Sequence, residues 1–273
     1  MAENRRRSFL ALAGFAGVLM LAATGVSWAD AVPSGWTCVG TCGSLGANGV
    51  VTLSPTGNSS YQYVSTSNAP SGVGALPTGG LGSETNGSTL ATTVFSAAAG
   101  TPLNFYFNYV TSDGAGFADY AWAELFTSGG SPFALLFTAR TETSGSIVPG
   151  MGLPSPTATL TPSSVPIIPG GPNWSALDGS SGDCYLGVGN GCGYTGWVLS
   201  NYTIPTTGNY YLEVGVVNWS DENFDSGLAL DGVTVGGVPI TPTGPTPEPS
   251  SIILLGSAVT GLLAAARRRR FAH

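Results

Sequence analysis

Carboxylates are the residues of this chain most able to do chemistry. The segment Asp221-Glu222-Asn223-Phe224-Asp225-Ser226-Gly227-Leu228-Ala229-Leu230-Asp231-Gly232 carries the densest charge between the two ends. A hard cation takes six to eight oxygens from carboxylates, amides and backbone carbonyls. Asp221, Asp225 and Asp231, with Glu222 beside them, are therefore candidates for a structural calcium site. The spacing is not that of an EF-hand, because the turn glycine and the closing glutamate are misplaced. The competing reading makes these carboxylates solvated turn and capping groups, and both readings stay open at this level.

Other chemistries are excluded by composition. The single histidine, His273, is in a C-terminal tail expected to be removed, and lysine is absent, so a Ser-His-Asp or Cys-His nucleophile, a Schiff base and a histidine zinc site are not expected. From Asp30 to Pro247 there are 13 acidic residues and one basic residue, Arg140, giving 1 − 13 = −12. Nucleic acid is not an expected partner, since its phosphates need several cationic side chains. Glycoside hydrolysis needs only two carboxylates, and Asp113, Asp119, Glu124, Glu142 and Glu213 are present, but no spacing singles out a pair. The expectation is a protein that is not an enzyme, with a carboxylate-dependent glycoside hydrolase as the third reading.

Sugar binding uses exposed aromatic faces beside amides and carboxylates. Trp174 and Tyr185, near Asn173, Asp178 and Asp183, are the candidate ligand-binding residues. Trp122 and Trp197 fall at strand positions and are expected in the core; Trp219 stays open between the two.

Four cysteines in an exported chain imply disulfides. Local pairing, Cys38 with Cys42 and Cys184 with Cys192, is the simplest of three connectivities; cross-pairing of the N-terminal loop to the later pair is the alternative.

The elements that must position these groups are strands. Leu103–Tyr109 and Tyr210–Val216 alternate apolar and polar residues with period two, and Tyr120–Phe126, Phe133–Thr138 (opened by Pro132), Trp197–Ile204 (ended by Pro205) and Leu228–Val235 are further strands. The last run changes phase at Asp231-Gly232, which predicts a bulge. Val50–Leu53, Tyr61–Val64 and Thr89–Phe95 are weaker candidates. The expected fold is all-β, an antiparallel β-sandwich or jelly roll over 30–238. A long Pro/Gly/Ser/Thr-rich loop over about 141–190 would lie between its two halves, and a Pro/Thr spacer over 239–249 would follow.

Both ends read as sorting segments. Arg5-Arg6-Arg7, the apolar run Phe9–Val26 and Ser27-Trp28-Ala29 make residues 1–29 a signal peptide. Arg6-Arg7-Ser8-Phe9-Leu10 also resembles a twin-arginine export motif, so Sec and twin-arginine routes both stand. At the other end, Pro247-Glu248-Pro249 precedes an apolar run of 15 residues, Ile252–Ala266, and then Arg267-Arg268-Arg269-Arg270. That run is short for a permanent anchor, which needs about 20 residues, and the arginines would hold its end in the cytoplasm.

This C-terminal arrangement, over 250–273 with the preceding Pro-Glu-Pro, resembles the PEP-CTERM sorting signal of Gram-negative bacteria. The resemblance implies a hydrophobic sorting helix, transient inner-membrane anchoring and processing by an exosortase. Release to the cell surface or extracellular matrix would follow, with a structural or adhesive role linked to exopolysaccharide and biofilm. Phe224–Asp231 is similar to the final strand of many PEP-CTERM ectodomains. More loosely it resembles jelly-roll carbohydrate-binding modules, in which a last-strand aspartate often helps hold calcium. A lectin-like module that binds extracellular polysaccharide is the second functional expectation.

Overall fold

The structure is a computed structural model that describes residues 32–240. The segments expected to be the signal peptide (1–29) and the sorting tail (250–273), with Pro247, Glu248, Pro249 and Arg267 to Arg270, lie outside the described residues. Among the described residues no helix is long and apolar enough to cross a membrane.

The strands in chain order are β1 (Thr37–Val39), β2 (Thr41–Leu45), β3 (Tyr61–Ser65), β4 (Glu84–Ala91), β5 (Phe95–Ala97), β6 (Thr101–Thr111), β7 (Tyr120–Thr127), β8 (Pro132–Arg140), β9 (Ser146–Val148), β10 (Thr159–Thr161), β11 (Val165–Pro166), β12 (Ile168–Pro169), β13 (Gly193–Tyr194), β14 (Val198–Ile204), β15 (Gly208–Trp219), β16 (Ser226–Val235) and β17 (Val238–Pro239). They form two large antiparallel sheets, with β9 and β11 paired apart as a two-stranded ribbon. One runs β1-β4-β15-β7-β8; the other runs β10-β14-β6-β16-β3-β2.

Period-two alternation builds the space between them. Leu103, Phe105, Phe107 and Tyr109 of β6 face Leu212, Val214 and Val216 of β15 and Ala121, Ala123 and Leu125 of β7. Phe107 stacks on Phe137 with centroids 3.8 Å apart. In β16 the even residues Leu228 and Leu230 point inward, then Val233 does, because the register shifts between Asp231 and Thr234. This is the bulge expected at Asp231-Gly232, and Gly232 has φ +65° there. Val50–Leu53 forms only a bridge, Asn48 to Val51, and Thr89–Phe95 is split between β4 and β5.

The stretch 141–190 packs rather than hangs free. Gly150 N–H and Thr157 N–H bond to the carbonyls of Thr138 and Leu135, covering the outer edge of β8. Ile147, Val148, Leu160 and Val165 enter the main core. Trp174 and Leu177 cover the outer face of the larger sheet against Tyr61 and Tyr63. The outer face of the smaller sheet is capped by Leu76 over Trp122, Phe126 and Val217. Trp122 is thus buried as expected, though on the outer face of its sheet, while Trp197 is half-buried and donates Nε1–H to the Thr52 carbonyl at 2.9 Å.

The disulfides are local. Cys38–Cys42, with Cα atoms 6.1 Å apart, joins β1 at the edge of one sheet to β2 at the edge of the other. Cys184–Cys192, with Cα atoms 5.6 Å apart, closes a loop at one end of the sandwich.

Candidate functional site

Antiparallel pairing of β6, β16, β15 and β7 gathers four chain segments at one end of the sandwich: 66–71, 111–119, 178–192 and 219–226. Most of the conspicuous side chains meet here. Asp225 opens β16. Its Oδ1 accepts from Thr66 Oγ1 at 3.1 Å and its Oδ2 from Ser180 Oγ at 3.2 Å. The Asp225 carbonyl accepts Ser112 Oγ–H at 2.7 Å, so one residue ties three loops together. Burial pushes its carboxyl above the usual range against those hydroxyl bonds. Asp221 Oδ1 instead accepts from Asn223 N–H at 2.8 Å within its own turn.

Asp231 does not join them. It sits further along β16, buried, and accepts bonds from Ser54 Oγ, Thr56 Oγ1 at 2.7 Å, Asn58 Nδ2 at 2.9 Å and Gly232 N–H at 2.7 Å. The expectation that Asp221, Asp225 and Asp231 form one calcium site is corrected, because strand extension carries Asp231 away from the loop end. Among the described residues no three His, Cys, Asp or Glu side chains converge to hold a metal.

Trp174 is corrected as well. It is 1% exposed, donates Nε1–H to the Tyr61 hydroxyl at 3.0 Å, and packs edge-on to Tyr63. Its ring occupies the space where a side chain on residue 227 would stand, 2.3 Å from a Cβ built there, so Gly227 is required beneath it. No sugar can reach that face. Tyr185 does lie at the loop end, half-buried between Phe117 (5.2 Å) and Phe224 (5.4 Å), over Gly114. Beside this aromatic edge is a shallow polar depression of about 350 Å³, lined by Ser180, Asp183, Glu222, Asn223, Phe224 and Asp225. Phe224 is held there with φ +57°.

Sequence reasoning left two carboxylates of this end without a role. Asp119 is fully buried: Oδ1 accepts from Trp219 N–H at 2.9 Å and Oδ2 from Ser226 Oγ–H at 2.6 Å. Asp113 is 2% exposed; Oδ1 accepts from Gly114 N–H at 2.7 Å, while Oδ2 has no partner. Burial, with Asp221's charge added, raises the Asp113 carboxyl to about 7, and burial with Asp113's charge raises Asp119 well above its ordinary value. Arg140, the only cationic side chain among the described residues, bonds to the carbonyls of Ala118 (3.2 Å) and Met151 (3.1 Å) and lies over the Trp219 ring at 5.1 Å. The one sequence signal for the pair was its spacing across a Gly-rich turn.

Of the remaining carboxylates, Glu124 and Glu213 lie on the outer face of the smaller sheet, remote from this end. Asp113 and Asp119 are closed off from solvent, while Asp183, Glu222 and Asp225 line the open depression.

Comparison with known proteins adds one firm result. Residues 245–270 match the PEP-CTERM protein-sorting motif, so this chain carries a PEP-CTERM sorting signal and is an exported protein of that kind. No curated protein matches it. Among solved structures it is similar to TmCBM61 in complex with beta-1,4-galactotriose, at 11% identity over 75% of this chain and 89% of that one, with a TM-score of 0.31. It is also similar to the K1 cleaved adhesin domain of Lys-gingipain from Porphyromonas gingivalis W83, at 11% identity over 75% of this chain and 91% of that one, with a TM-score of 0.33. A third likeness is to an exo-beta-agarase, at 14% identity over 77% of this chain and 24% of that one, with a TM-score of 0.30.

Proposed function

We propose that this chain is a non-enzymatic surface or matrix protein. An exosortase processes its tail at the inner membrane, and its β-sandwich then serves a structural or adhesive role outside the cell. The observation that carries this reading is where the chain leaves the fold. β17 pairs with Thr234 and Val235 of β16, and Gly236 N–H bonds to the Pro102 carbonyl at the start of β6. The loop end lies at the other end of the 11-residue β6, roughly 33 Å away at strand rise. Tyr185, Phe224 and Asp225 thus lie at the end of the sandwich opposite to the one where the described chain stops. Cell fractionation with intact-mass measurement tests this: the mature form should be found outside the inner membrane and lack Arg267 to Arg270. A full-length chain retained in the inner membrane overturns it.

A second reading, a lectin-like binder of extracellular polysaccharide, is favoured by the half-buried Tyr185–Phe224 edge beside the polar depression. Such an edge offers apolar ring surface for a sugar face, with carboxylate and amide groups around it for hydroxyls. A glycan array probed with the exported protein separates the readings. Binding that disappears in Tyr185→Ala supports the lectin, and a blank array leaves the structural role.

A further inference from the structure

We propose that the loop-end depression beside Tyr185 and Phe224 recognises a polysaccharide of amine-bearing sugars and rejects polysaccharides that carry uronate, sulfate or phosphate groups. This specificity rests on the lectin-like reading above and names the class of glycan that site would take.

The first observation is charge without a counter-charge. Asp183 and Glu222 are exposed and Asp225 is half-buried, and all three line one open hollow with Phe224. Asp178 and Asp221 belong to the same two chain segments, 178–192 and 219–226. The groups that meet these carboxylates are neutral. Ser71 Oγ–H bonds to Glu222 at 3.2 Å, Asn68 Nδ2–H to Asp178 at 3.3 Å and Asn223 N–H to Asp221 at 2.8 Å, while Asp225 takes the Thr66 and Ser180 hydroxyls. Arg140, the only cationic side chain among the described residues, is committed to the carbonyls of Ala118 and Met151 and to the Trp219 ring. An anionic glycan would meet like charge here with no cation to offset it.

The second observation is how the carboxylates are spread. Among the described residues no three converge as metal ligands, and a single hard cation needs six to eight oxygens turned toward one point. Carboxylates set apart around one hollow suit ammonium groups spaced along a chain.

The third observation is the aromatic edge. Phe224 lines the hollow and meets Tyr185 with centroids 5.4 Å apart, both rings half-buried. The C–H face of a sugar packs on such rings while its polar groups reach the side chains around them. The frame is fixed before any ligand arrives. Tyr185 N–H bonds to the Ser112 carbonyl at 2.9 Å, Cys184–Cys192 closes its loop, and Asn190 Nδ2–H bonds to the Gly187 carbonyl at 3.2 Å. A preformed edge loses little freedom on taking a stiff glycan.

The test titrates the full chain in detergent with glucosamine oligomers, the same oligomers N-acetylated, and galacturonate oligomers. The glucosamine oligomers should bind about tenfold more tightly than the acetylated ones, since several weak exposed ion pairs add to the same ring contacts. Galacturonate oligomers should not bind. Added salt should remove the preference, because exposed pairs are screened. Asp183→Asn combined with Glu222→Gln should bring the glucosamine affinity down to the acetylated level, whereas Asp231→Asn, remote from this end, should not. Melting temperature separates a lost charge from a lost fold, and should the double variant melt early, Asp183→Asn alone carries the test with a smaller loss. Equal affinity for aminated and acetylated oligomers overturns the amine specificity and leaves the lectin-like reading standing; no binding of any oligomer overturns both. An oligolysine peptide that binds as tightly as the glucosamine oligomers, and binds Tyr185→Ala equally well, overturns the glycan in favour of a basic protein partner.

Discussion

Glu124 on β7 and Glu213 on β15 stand directly opposite each other in the smaller sheet. Like charges so placed repel. Burial raises both carboxyls, and Glu213's charge raises Glu124 further; Glu124 Oε2 has no partner. Glu124 is buried and Glu213 half-buried on the sheet face opposite the main core. Replacing one charge should relieve the repulsion. Glu124→Gln should raise the melting temperature at pH 8 by several degrees, at about 2–4 °C per kcal/mol for a domain of this size. A lower melting temperature would mean that the glutamate holds a partner the amide cannot.

The same shifts set the pH dependence. Asp113, Asp119, Glu124, Glu213 and Asp225 all have folded-state values above their ordinary ones, Asp113 reaching about 7. The native state therefore binds protons more tightly than the unfolded chain, so the protons' contribution is complete below about pH 4 and is lost as pH rises through the folded values, near 7 for Asp113. Thermal melts in EDTA should fall from pH 5 to pH 8, and Asp113→Asn should flatten the slope. Stability that rises over this range would contradict the burial of these groups.

Trp174 is a structural residue here. Trp174→Ala should cost about 3–5 kcal/mol from the cavity and lost contacts, and it also strands the Tyr61 hydroxyl. Tyr185→Ala, at a half-buried edge, should cost much less. Urea denaturation of the two variants measures the difference, and equal midpoints would refute the placement of Trp174.

Cys38–Cys42 joins the outer strands of the two sheets although it closes a very short loop. Replacing both with serine should lower stability by about 2 kcal/mol on loop-closure grounds. Amide exchange should rise first at β1 and β2, the edge strands the bond connects; uniform loosening across the sandwich would count against an edge staple.

What lies near in sequence was legible without the structure. Period-two alternation marks β6 and β15, because one buried face leaves that pattern in any strand. The phase change at Asp231-Gly232 marks the bulge for the same reason, and the short cysteine spacings make local pairing the simplest connectivity. The tail's Pro-Glu-Pro, apolar run and arginines needed no fold at all, since a sorting signal is read as a linear segment.

The carboxylate partners were decided by tertiary structure alone. Asp225 and Asp231 are neighbours in sequence, yet a strand rises about 3.3 Å per residue, so extension separates them. Asp113, Asp119 and Asp221 are distant or merely adjacent in sequence, yet the pairing of β6 with β16 and of β15 with β7 brings their turns to one end. Trp174 and the apolar residues of 141–190 looked like loop, because short strands packed on edges and outer faces need no sustained period. Local pattern tells which face of a strand is buried; only the closing of the two sheets determines which loops meet.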